Sequence, residues 1–200
     1  MGGLLAISRG IDRMNTVIGR SVAWLILVAI LVSAINAIVR KVFSVSSNAW
    51  LELQWYLFGA AFMLASAYTL LQNEHIRIDV VYGRWSRRVQ HWIDLLGTLL
   101  FLLPFTVLMI WVVAPRLIQN IAAQEVSMNA GGLLIWPARA LLLAGFVLLL
   151  IQGLSEIVKK IAIMRGIMAD PHPHVGPHDT VLHEAELMSQ GFDDIPEGRK

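Results

Sequence analysis

Long apolar blocks alternate with short polar ones along this chain. From Leu53 to Asn73 no residue is charged, and about 20 such residues in a helix cross the hydrocarbon core of a bilayer. Blocks at about 21–39, 49–72, 95–114 and 133–155 give four predicted spans,. Trp50, Trp55, Trp111 and Trp136 fall at one boundary, and Trp24, Tyr82, Trp85 and Trp92 at the other. Amphipathic rings favour those depths. The pattern predicts an all-α integral membrane protein with four transmembrane helices.

The connecting stretches carry their own periodicity. Leu4, Ile7, Ile11, Met14 and Ile18 recur at helical spacing, with Arg9, Asp12 and Arg13 off that line. This predicts a separate N-terminal amphipathic segment lying in the interface. Val81, Trp85, Val89, Trp92 and Leu96 form one face of a second interfacial segment between the second and third spans. Arg84, Arg87, Arg88 and His91 form another face, and Ser86 is placed to cap it,. Asn48 is placed to cap the second span. Pro104 predicts a kink in the third span, and Pro115 with Arg116 its end,. Residues 1–168 read as the membrane domain and 169–200, with scattered prolines and charges, as a mobile cytoplasmic tail,.

Composition narrows the function. Hydrophobic residues make up 56% and charged ones 15%, against about 25% charged in soluble domains. A net charge of +2 gives no case for nucleic acid. With no cysteine, thiolate catalysis, disulfides and iron–sulfur ligation are excluded. His75 and His91 lie at a membrane boundary and the other histidines in the tail; a haem held within the spans would need them deeper. No hydrolase, zinc-protease or nucleotide-binding motif is present, so no enzyme and no cofactor is expected. A membrane anchor subunit of a redox or other enzyme is the alternative reading.

Some positions stand out within the spans. Glu52 lies near the outer end of the second span, where pairing with Arg40, Lys41 or Arg139 would neutralise it,; Glu52 and Arg139 are the expected outer-interface ion pair. Gly59, Ala61, Ala65 and Ser66 are small residues of the kind that let helices approach closely in lipid,.

The stretch His75-Ile76-Arg77-Ile78-Asp79 follows the second span. It resembles the neck of the small membrane subunit (DctQ-like) of the tripartite ATP-independent periplasmic (TRAP) transporters. Glu52-Leu53-Gln54-Trp55-Tyr56-Leu57-Phe58-Gly59, Gly131-Gly132-Leu133, Trp136-Pro137 and Gln152-Gly153 are similar to the mannitol/chloroaromatic-type subgroup. The resemblance covers about 17–165. It implies a small permease subunit that scaffolds a large TRAP membrane subunit in the bacterial or archaeal inner membrane. A periplasmic substrate-binding protein would deliver an organic, carboxylate-type anion, and sodium would be bound by the large subunit. On this reading His75, Arg77 and Asp79 form an interfacial neck serving assembly: Arg77 meets lipid phosphate or the last carbonyls of the second helix, and Asp79 caps the segment that follows.

Basic residues near span ends set orientation. Ten (Arg9, Arg13, Arg20, Arg77, Arg84, Arg87, Arg88, Lys159, Lys160, Arg165) lie on one side and four (Arg40, Lys41, Arg116, Arg139) on the other. Both termini are therefore expected in the cytoplasm. In this cysteine-free chain, a membrane-impermeant maleimide added to intact cells should label Ser46→Cys and Gln124→Cys but neither Ser86→Cys nor Ser189→Cys. Labelling at position 86 from outside would reverse the orientation.

Overall fold

The computed structural model describes residues 2–44, 47–72 and 85–168, with Arg87 and Arg88 by their backbone alone. The neck residues His75, Arg77 and Asp79, and the tail at 169–200, lie outside this set. Within it the chain is helical, with a lone antiparallel bridge, Val126 to Leu134.

Helix α1 runs unbroken over Gly2–Phe43. At 1.5 Å per residue its 42 residues extend about 63 Å,, roughly twice the bilayer core. The separate N-terminal interfacial segment is thus corrected: the first residues continue the first span as one rod. Nothing breaks it: Gly10 and Gly19 stay helical, and Ser8, Asp12 and Asn15 in this half bond residues of another helix. Arg40 and Lys41 occupy its last turn, where cations complement the carbonyl end,, and Ser44 leaves the helix at φ +54°.

Helix α2, Asn48–Gln72, returns alongside. Helix α3, Arg87–Gly97, passes through a π-helical turn at Thr98–Leu102 directly into α4, Leu103–Ala123. Ser86 stands at the N-cap of α3 but makes no capping hydrogen bond with its side chain. Helix α5 is Trp136–Met164. Gly2–Phe43, Val89–Ala123 and Trp136–Met164 are long and apolar enough to cross a membrane.

The two prolines act differently. Pro104 has no N–H to donate back to the preceding turn, and the π-helical turn ends just before it, with Leu103 N–H bonding the Thr98 carbonyl. Thr106, fully buried, donates to the carbonyls of Leu102 and Leu103 at 2.9 and 3.0 Å. Pro115, by contrast, sits inside α4 without ending it. The helix continues to Ala123 and stops at Gln124, φ +47°. The predicted end at Pro115 is corrected accordingly: a helix in an apolar setting keeps its remaining hydrogen bonds because no water competes for them.

Helices α1, α2 and α5 form a three-helix group, and α4 packs on α5. Phe105 meets Phe146 edge-on, with centroids 5.9 Å apart. Contacts fix the directions. Tyr56 reaches Leu134, and Met63 lies against Gly145, so α2 and α5 run parallel. Ser8 meets Ser155 and Asn15 meets Gln152, so α1 runs against α5. The bundle therefore has a loop end, where α2 and α5 begin, and a basic end, where α5 carries Lys159 and Lys160 before it finishes at Met164.

Close approach depends on glycines opposite α2 rather than on Gly59. A Cβ at Gly145 would sit 2.6 Å from Met63 Cβ, and one at Gly19 would sit 2.5 Å from Tyr68 Cβ. Overpacking of that kind costs about 1–3 kcal/mol. At Gly153 a Cβ would meet Leu102 at 3.2 Å, so this glycine admits the π-helical turn. Gly59 faces open space, Ala61 is buried, and Ala65 and Ser66 are half-buried, with Ser66 Oγ donating to the Met63 carbonyl at 2.7 Å. Many large side chains remain exposed, among them Trp111, Phe101 and Ile118.

Candidate functional site

The polar chemistry among the described residues gathers at the two ends. At the loop end, α2 presents Asn48, Glu52 and Tyr56 at i, i+4 and i+8, hence on one face,. All three hold the connection at 124–135. Asn48 Nδ2 donates to the Ala130 carbonyl at 3.0 Å, and Tyr56 Oη donates to the Leu134 carbonyl at 3.1 Å. Between them the Glu52 carboxylate takes three donors: Oε1 accepts from Ser127 Oγ and from Asn129 Nδ2 at 2.7 Å, and Oε2 accepts the Leu133 N–H at 2.7 Å.

The connection is shaped to deliver them. Ser127 N–H bonds the Leu133 carbonyl at 2.9 Å, Ile135 N–H the Glu125 carbonyl at 3.0 Å, and Gly132 N–H the Asn129 carbonyl at 2.9 Å. Gly131 turns at φ +69°. Any Cβ at Gly132 would stand 2.6 Å from Ser127 Cβ and 3.0 Å from Glu52 Oε1, so only glycine lets the backbone reach the carboxylate,. Glu125 in turn accepts from the buried Asn120 at the end of α4. The tip side chain, Met128, is fully exposed.

Glu52 and Arg139, expected as an ion pair, are not brought together among the described residues. The carboxylate is buried and its partners are neutral, which meets its need for donors without a cation,. Arg139 instead lines a shallow groove of about 230 Å³ with Trp55, Tyr56 and Gly59. Nor does Asn48 act as a helix cap through the bond observed, which goes to the loop.

The basic end holds a second network that the sequence reading did not assemble. Ser8 and Ser155 hydroxyls lie 2.6 Å apart. Asn15 Nδ2 donates to Gln152 Oε1 at 2.7 Å, and Gln152 Nε2 donates to Asp12 at 2.9 Å and to Glu156 at 2.8 Å. Lys159 Nζ lies 3.1 Å from Asp12 Oδ2 and 2.5 Å from Glu156 Oε1. Beside it Lys160 pairs with Asp94 of α3 at 2.8 Å. Ser8, Asn15, Gln152 and Ser155 are essentially excluded from solvent, and Asn15 Oδ1 is buried without a partner among the described residues. The signal was present: Ser8, Asp12 and Asn15 form a polar stripe at i, i+4, i+7, and Gln152, Ser155, Glu156 and Lys159 form its complement,.

Neither cluster assembles a nucleophile with a base, or donors around a reacting atom. Both hold helices and loops in place. Residues 29–162 match the family described as "Tripartite ATP-independent periplasmic transporters, DctQ component". No curated protein and no solved structure matches the chain.

The carboxylate of Glu52 accepts charge-assisted hydrogen bonds, each worth about 1.5–3 kcal/mol. Glu52→Gln turns one acceptor into a donor that faces a donor. Amide hydrogen exchange over residues 125–135 should accelerate by about tenfold or more, with exchange in α4 unchanged. Unaltered protection of the Leu133 amide would show that the loop holds itself.

Proposed function

The chain belongs to the DctQ component family of the tripartite ATP-independent periplasmic transporters, and on that premise we propose that it is the small permease subunit of a sodium-coupled, binding-protein-dependent importer of an organic anion. In this reading it is a multi-pass subunit of the inner membrane with both termini in the cytoplasm. Helix α2, 25 residues and about 38 Å long,, is the fourth crossing. The large subunit carries sodium and substrate, the transported anion is a carboxylate, and the chain falls in the mannitol/chloroaromatic-type subgroup. It performs no chemistry of its own and acts as a scaffold.

The observation that carries this reading is the family match over residues 29–162. The distribution of polar groups supports it. The hydrogen-bonded charged residues of the described helices, Asp12, Glu52, Asp94, Glu156, Lys159 and Lys160, lie toward the ends of the bundle. A carrier needs polar groups near mid-membrane to hold an ion or solute; a scaffold needs ends that are fixed and apolar flanks to pack on. The loop at 124–135, held by α2 and exposing Met128, helps dock the binding protein. The neck residues His75, Arg77 and Asp79 serve assembly with the large subunit.

Reconstituted alone in vesicles with a sodium gradient, the chain should move no organic acid. With a large subunit and a binding protein of the same system, sodium-dependent uptake should appear. Sodium-driven uptake by the chain alone would sink the scaffold reading, and a haem absorbance spectrum on the purified chain would favour an anchor for a redox enzyme.

A further inference from the structure

At the basic end a cavity of about 530 Å³ opens between the first turns of α1 and the last turns of α2 and α5. Pockets of this size take small ligands. Its walls are of two kinds: Leu5, Leu71 and Ile163 are apolar, while Arg9, Asp12, Glu156, Lys159 and Lys160 are charged.

The charges leave both signs unmet. Asp12 and Glu156 share the single ammonium of Lys159, one negative charge in excess. Lys160 is occupied by Asp94. Glu156 Oε2 accepts no hydrogen bond among the described residues, and Asp12 Oδ2 accepts only from Lys159. A carboxylate has about four lone-pair sites, so acceptor capacity remains on the cavity wall. Arg9, at the mouth, is exposed and forms no ion pair among the described residues. A ligand that complements this wall carries a cation with N–H donors and, a few atoms away, an anion suited to a guanidinium fork.

Depth narrows the choice. The cavity lies where the apolar stretch of α5 gives way to Lys159 and Lys160, the level at which lipid headgroups meet basic side chains. We propose that it binds the headgroup of an aminophospholipid. The primary ammonium bonds Glu156 and Asp12, the phosphodiester sits on Arg9, and the acyl chains leave along Leu5, Leu71 and Ile163. A choline headgroup has no N–H to give the carboxylates, and a glycerol headgroup has no cation. The inference rests on the reading of the chain as a membrane protein and does not depend on transport.

The test is native mass spectrometry on the full chain, delipidated in detergent and titrated with dioleoyl phosphatidylethanolamine, phosphatidylcholine and phosphatidylglycerol. Soluble glycerophosphoethanolamine is added as competitor. The ethanolamine lipid should bind about tenfold more tightly than either other lipid, and the soluble headgroup should not displace it. Arg9→Gln and Glu156→Gln should each abolish that preference, while circular-dichroism melting shows that both variants fold; Arg9 is exposed, so its replacement leaves the packing intact. Equal affinity for the three lipids, preference for the glycerol lipid, displacement by the soluble headgroup, or a preference that survives in both variants would each overturn the proposal. Uptake plays no part in the assay, so its failure leaves the transport reading standing.

Discussion

Two helices that face each other in lipid gain little by burying leucine, because the surrounding tails are as apolar as the partner. What distinguishes one pairing from another is whether the polar groups on the facing surfaces find each other. Here Asp12 of α1 is held by Gln152, Ser155 and Lys159 of α5, with Ser8 and Asn15 bonded on either side. Ser8, Asn15, Gln152 and Ser155 are buried and Asp12 and Lys159 partly so, so losing one partner leaves another unsatisfied, at about 1–3 kcal/mol. A shift of α1 by a single turn would break several of these bonds together. The network therefore sets the register of α1 against α5, and with it the position of the glycine contacts at Gly19 and Gly145 that seat α2.

The loop end solves the same problem by other means. No cation is used there; a carboxylate on α2 is satisfied by a hydroxyl, an amide and a backbone N–H from one connection. That ties the chain between α4 and α5 to α2, an element far from it in sequence, and so relates α4, which packs on α5, to the three-helix group. The middle of the bundle is left to small residues and ring contacts. Such an arrangement is firm at both ends and apolar on its flanks, which suits a subunit that packs against a larger one.

Much of this was readable from the chain. The apolar blocks located the helices but set the bounds closely only for α2; α1 begins well before its predicted span, and α4 and α5 run about nine residues past theirs. The neck motif with its companion stretches indicated the family. The site was less legible. Glu52 stood out as a carboxylate at a span end, yet charge alone suggests a cationic partner, and Ser127, Asn129 and the Leu133 amide announce nothing by type. The spacing of Asn48, Glu52 and Tyr56 on one helical face held the missing hint. Asp12 reads with Arg9 and Arg13 as the polar side of an interfacial segment, because periodicity shows that a face exists and not what it meets; only the matching stripe on α5 decides between solvent and a neighbour. Pro115 misled for a related reason, since the rule that proline ends a helix is weaker where water does not compete for the backbone.

The central claim is that the N-terminal half of α1 is docked on α5 by this network, so the most direct measurement is a cross-link across it. Ser8 and Ser155 place their hydroxyls 2.6 Å apart, and a disulfide needs Cβ atoms about 3.5–4.5 Å apart. In a chain without cysteine, Ser8→Cys combined with Ser155→Cys should close rapidly in native membranes under a mild oxidant, giving a reductant-sensitive mobility shift that neither single variant shows. If no bond forms and the thiol at position 8 is alkylated as readily as one at exposed Arg9, α1 is not docked there and the account fails.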